Sequence, residues 1–156
     1  MGRGNSLGID ARTIRDSFAL LADRADELVD RFYEKLLAKQ DVAALFVNTD
    51  MDEQKNKLAG AIGFVVKNLD NTEVLVAELN NMGVRHKHYG AEARHYGVVT
   101  DTLISVMANM AGKNWTSNIE SAWRDLLNVA STVMLSAGAG ATVGGVNRIG
   151  VKEAKQ

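Results

Sequence analysis

At 156 residues the chain is the size of one domain with room for a sizeable core, and 18 Lys+Arg against 19 Asp+Glu leave it close to neutral. The basic residues are scattered and form no stripe, which argues against a nucleic-acid partner, and the absence of cysteine excludes disulfides, thiolate metal sites and cysteine nucleophiles. The N-terminus is not of signal-peptide type and no run of about 18 apolar residues occurs, so a soluble cytoplasmic protein without a membrane partner is expected.

Proline is missing altogether and interior glycines are few before residue 138, a composition that favours long helices and predicts an all-α fold. Residues 1–9 are expected to form a flexible N-terminus. Asp10 can cap a first helix with Ile14, Phe18 and Leu21 on its apolar side, and a second follows with Leu28, Phe32, Leu36 and Leu37 on one face and Tyr33 at its edge. Asp41 opens a short helical turn that ends in Phe46. In the polar corner that follows, Asp52 is the expected cap of a helix whose stripe runs Gln54, Leu58, Ala61, Val65, Leu69. A short loop leads to Asn71 or Thr72, the expected cap of the next helix, which Gly90 stops. From Ala91 a long helix presents Tyr96, Val99, Leu103, Met107 and Met110 and ends at Gly112. Ser117 with Glu120 forms a capping-box pattern ahead of a last helix carrying Ile119, Trp123, Leu126, Ala130 and Val133. The domain is expected to span residues 10–137, with a flexible glycine-rich tail at 138–156.

One residue breaks the amphipathic logic. Leu75, Leu79, Met82 and His86 are spaced 4, 3 and 4 apart, so an imidazole shares the apolar stripe of its helix with two leucines and a methionine. A histidine so placed is either a satisfied core residue or a ligand. His88 points elsewhere, beside Arg85 and Lys87, and His95 is expected at the surface or as a cap at the start of the following helix. The helices folded back on either side would set His86 on one wall of a gap, with Gln54 and Tyr33 available on the other. A ferrous porphyrin asks for that set: one neutral imidazole, apolar walls, and a polar group or two on the open side for a diatomic ligand.

The blocks FYEKLL with Tyr33, LF with Phe46, EQKNKL with Gln54 and Leu58, and above all RHKHYG followed by HYGVV resemble the bacterial single-domain globins, the globin portion of flavohaemoglobins and the Vitreoscilla-type haemoglobins. The resemblance covers roughly residues 10 to 137, and the family separates its distal glutamine from its proximal histidine by the same 32 positions that separate Gln54 from His86. It implies a 3-on-3 globin fold of six to seven helices around one haem b. His86 becomes the iron ligand, Phe46 the ring stacked on the porphyrin, and Tyr33, Gln54 and Leu58 the distal pocket. Tyr96 matches the tyrosine that approaches the proximal histidine, and Leu79, Met82 and Val99 are expected to line the cofactor; by spacing, Lys55 and Lys57 could each reach a propionate, with Lys57 preferred. A phenol donating to bound dioxygen, which carries partial superoxide character, makes a charge-assisted hydrogen bond.

The resemblance also implies a departure. Flavohaemoglobins carry a glutamate on the last helix that, with the proximal-side tyrosine, makes the proximal histidine more anionic. Here that position falls on Gly138, and the tyrosine eleven residues before it on Leu127. The leading expectation is therefore reversible dioxygen binding for storage, delivery or buffering, with carbon monoxide and nitric oxide as further ligands, no catalytic residue assigned, and a monomer or weak homodimer. The alternative is a nitric oxide dioxygenase or nitrite reductase supplied with electrons by a separate reductase. A sensor would need an output domain, and a helical bundle without cofactor would leave His86 without purpose.

Overall fold

The computed structural model describes residues 7–140, so the first six and the last sixteen residues, where most of the two expected flexible ends fall, lie outside it. Seven α-helices make up the described fold: α1 (Ala11–Ala19), α2 (Ala25–Leu36), α3 (Gln40–Ala43), α4 (Met51–Lys67), α5 (Thr72–His88), α6 (Ala93–Ala111) and α7 (Ser117–Gly138). Strands do not occur among the described residues, which gives the all-α class that the missing proline and the 3- and 4-residue spacings call for. None of these helices is long and apolar enough to cross a membrane.

The core is built where the apolar stripes cross. α7 is the central support: α5 lies along it more extensively than any other helix pair in the fold, and α1 and α6 pack on it as well. α2 lies across α6 and against α4, while α4 and α5 barely touch. Phe32, Leu28 and Leu36 from α2, Met107 from α6, and Trp123 and Leu126 from α7 are all fully buried, each contributing about 1.5–3 kcal/mol through removal from water. The indole of Trp123 donates to Ser17 Oγ at 2.9 Å, and Ser17 donates in turn to the Thr13 carbonyl, so the buried polar atoms of this anchor between α7 and α1 are satisfied. Ile9, ahead of α1, is fully buried in the same core.

The helix ends refine the expected registers. Asp10 caps α1 as expected, accepting from Thr13 N. At α4 the cap is Asp50 and not Asp52: its carboxylate accepts from the backbone N–H groups of Asp52 and Glu53, because Asp50 is the last extended residue before the helix. At α7 the cap is Thr116 and not Ser117, with Thr116 Oγ accepting from Ile119 N at 3.2 Å. Glu120 is thereby released from a capping box and accepts instead from the Trp115 indole. α6 starts at Ala93, closed by a capping box in which Glu92 accepts from the His95 backbone and His95 Nδ1 accepts from the Glu92 backbone.

Candidate functional site

Two clusters hold the expected site residues, one around Tyr33 and one around His86. The first is assembled from α2, α4 and the short turn after α3. Tyr33, on the inner face of α2, is 4 % exposed, with Phe32 and Phe46 in edge-on ring contact at 4.9 and 5.8 Å. Gln54, one turn into α4, donates through Nε2 to Tyr33 Oη at 3.0 Å. Since the phenol oxygen accepts from the amide, its own proton is left to donate elsewhere. Burial raises the Tyr33 pKa above the ordinary phenol value, the Gln54 bond countering only part of this, so the side chain is a neutral donor.

The second cluster lies at the end of α5. His86 is half-buried, and its Nδ1 bonds to the Met82 carbonyl one turn back at 2.7 Å. The carbonyl can only accept, so Nδ1 carries the proton and Nε2 keeps a bare lone pair, the tautomer that a metal requires. Burial lowers the imidazole pKa and the neighbouring Arg85 guanidinium acts in the same direction, against the Met82 carbonyl, which favours the charged form. The result is a neutral imidazole near pH 7. Its ring meets Tyr96, the tyrosine that the resemblance put beside it, at 6.3 Å, and Tyr89, which the sequence reading did not name, at 5.8 Å. Tyr89 sits next to the helix stop, where nothing in its own pattern marks it; Tyr96 stands ten positions on, at the start of α6.

The backbone around His86 is fixed by the way α5 ends. Gly90 takes φ 92°, Gly90 N donates to the Lys87 carbonyl, and Ala91 N reaches back to the His86 carbonyl at 3.0 Å. That paired closure needs the left-handed residue, which explains the glycine at this one position.

The remaining expected residues divide by exposure. Phe46, Leu58, Met82, Tyr96 and Val99 are partly buried and lean on the core, whereas Leu79 is wholly inside it. Lys57 is exposed, and its neighbour Lys55 pairs with Asp30 at 3.1 Å. His88 is exposed, while His95, expected at the surface or as a cap, is a buried cap whose Nε2 has no hydrogen-bond partner among the described residues. Where the proximal carboxylate of flavohaemoglobins would stand, Gly138 closes against Lys87 and the Gly83 carbonyl, and a cleft of about 250 Å³ lined by Lys87, Glu92, Tyr96 and Gly138 opens beside it. The Tyr96 hydroxyl has no hydrogen-bond partner among the described residues.

A neutral imidazole with a bare Nε2, a phenol with a free proton, and aromatic rings packed against each are what a class of helical proteins uses to seat a flat, metal-bearing cofactor and a small ligand. The comparisons narrow the class. The family model described as Globin matches residues 30–134. The chain belongs to the globin family, whose prosthetic group is haem. It is 29 % identical over 112 residues to a flavohemoprotein of Xylella fastidiosa, covering 70 % of this chain and 28 % of that protein. With a flavohemoprotein of Bacillus cereus it shares 26 % identity over 126 residues, 79 % of this chain and 31 % of the relative, and with one of Rhodopirellula baltica 28 % over 114 residues, 71 % and 28 %. The chain thus spans under a third of the length of the curated relatives it matches. Its residues fit the group: His86 offers the nitrogen, Tyr96, Met82, Val99, Leu58 and Phe46 offer apolar wall, and no charged side chain among these competes for the metal.

Proposed function

We propose that this globin binds haem b through His86 Nε2 and takes up dioxygen reversibly, holding it from the distal side with Tyr33. The observation that carries the reading is the commitment of His86 Nδ1 to the Met82 carbonyl, which leaves Nε2 deprotonated on a half-buried imidazole at the end of a helix. Haem supplies an iron centre for a diatomic gas, whether dioxygen, carbon monoxide or nitric oxide. Tyr33 then donates its proton to the ligand, Gln54 holds the phenol oxygen in place from behind, and Phe46 and Leu58 keep water away from the pair. Lys57, exposed on α4, is available for a propionate. Visible spectra of the purified protein test this: a haem spectrum that is lost in His86→Ala and restored by added imidazole supports the assignment, and a protein that takes up no haem sinks it.

A second reading, turnover as a nitric oxide dioxygenase or nitrite reductase with electrons from a separate reductase, is favoured by the similarity to flavohemoproteins. Binding without turnover is the better supported of the two. A backbone carbonyl, and not a carboxylate, accepts from His86, Tyr96 has no acidic hydrogen-bond partner among the described residues, and Gly138 stands where the resemblance puts one, so the imidazole gains less anionic character than a carboxylate would give it. Sustained nitric oxide consumption in the presence of a generic reductase would reverse that ranking; a single turnover that stalls as ferric protein would uphold it.

A further inference from the structure

α5 and α7 meet through their backbones. A β-carbon placed on Gly83 would stand 2.2 Å from the Met134 carbonyl oxygen and 2.6 Å from Met134 Cα, more than an ångström inside ordinary contact. One turn further along, a β-carbon on Gly138 would lie 3.1 Å from the Gly83 carbonyl oxygen and 3.2 Å from Lys87 Cβ. Gly60, Gly63 and Gly97, the other glycines inside helices of 17 residues or more that precede α7, would meet nothing within 4 Å. Gly83 is therefore singular: it is the place where any side chain would pry α5 off its support.

The mechanical setting makes that contact matter for His86. The imidazole is three residues from Gly83 on the same helix, and the helix end is clamped by the Gly90 closure, so His86 moves with the helix body. α5 rests chiefly on α7 and barely touches α4, which leaves the seat on α7 as the contact that fixes its height. We propose that Gly83 is a positioning residue for His86: by letting α5 sink onto the backbone of α7 it fixes where the imidazole stands, and so sets the strength of the bond His86 would make to a haem iron. The inference rests on His86 being the iron ligand.

A methyl group at position 83 has backbone, not a flexible side chain, in its way, so α5 must yield as a unit, away from α7. His86 is carried with it, which would alter the bond it makes to a haem iron. The test is resonance Raman spectroscopy of the ferrous, ligand-free haem protein, comparing the iron–histidine stretching band of the unsubstituted chain with Gly83→Ala, Gly138→Ala and Gly60→Ala, each checked for its fold by thermal denaturation. The expected result is a shifted band in Gly83→Ala, a smaller shift of the same sign in Gly138→Ala, where the obstruction is only a few tenths of an ångström, and none in Gly60→Ala. If Gly83→Ala does not fold, Gly138→Ala against Gly60→Ala carries the comparison. A band at one frequency in all variants, or a shift in Gly60→Ala as large as that in Gly83→Ala, overturns the inference while leaving His86 as the ligand. A spectrum with no iron–histidine band in the unsubstituted protein removes the reading beneath it, and the inference with it.

Discussion

Tyr33 and Gln54 are one hydrogen-bonded unit with unequal parts. The amide donates to the phenol oxygen, which frees the phenol's own proton for a ligand, and the two residues should differ in what their loss does. Removing the donor itself in Tyr33→Phe deletes a bond of about 1.5–3 kcal/mol to a polarised ligand, so dioxygen release should speed up roughly tenfold to a hundredfold. Gln54→Leu leaves the donor and loses only its orientation, an ordinary bond of about 0.5–1.5 kcal/mol, for an acceleration of roughly threefold to tenfold. Stopped-flow dissociation rates check the order, and Gln54→Leu exceeding Tyr33→Phe would contradict the division of labour. The raised Tyr33 pKa adds a pH signature. The folded phenol stays protonated beyond the ordinary value of 10.0, so the release rate should be flat from neutrality to about pH 10. Above that value the unfolded chain gives up this proton first, so folding stability should decline with rising pH, and urea titrations of Tyr33→Phe should show a shallower decline.

At the scale of the helices, two ends next to the site set testable local stabilities. Asp50 satisfies two of the free N–H groups of α4, and Asp50→Ala should cost about 1 kcal/mol in urea unfolding, whereas Asp52→Ala, which touches only the helix dipole, should cost a few tenths, roughly. Gly90→Ala has space for its methyl, with Leu45 Cδ2 at an ordinary 3.5 Å, so its cost is the left-handed backbone alone, about 1–2 kcal/mol. A neutral Gly90→Ala would show that the closure at the His86 carbonyl is dispensable. These ends also mark what was legible from the chain. The helices themselves follow from their stripes, and His86 is conspicuous because it occupies a leucine position on α5. Cap registers slip by one or two residues where cap-forming side chains stand close together, Asp50 with Asp52 and Thr116 with Ser117, since only the backbone turn decides between them. The Tyr33–Gln54 pair joins residues 21 apart on different helices, so its members could be named from family resemblance but their bond direction could not. Gly83 is less legible still, because a mid-helix glycine acquires its meaning from Met134, 51 positions away, and from the angle at which α7 passes.

Taken whole, the molecule is supported unevenly. α1, α2, α6 and α7 share the buried core around Phe32, Met107 and Trp123, while α5, which carries His86, adds Leu75 and Leu79 to that core but packs chiefly on α7 and has little contact with α4. A helix held on one side opens at lower free energy than one held on several, and its amides exchange with solvent correspondingly sooner. In the haem-free protein, hydrogen exchange should therefore be faster along α5 than along α6 or α7. Haem bound at His86, as proposed, would give α5 a further contact, and at a thousandfold excess over its dissociation constant it would add about 4 kcal/mol to the folded state. The added protection should be concentrated in α5 and the first turns of α4, with α1 and α2 gaining least, and the melting temperature should rise with haem concentration. If α5 were already as protected as α7 without haem, the one-sided support inferred from the contacts would be wrong, and the strength of the proximal bond would have to be set by something other than the seat on α7.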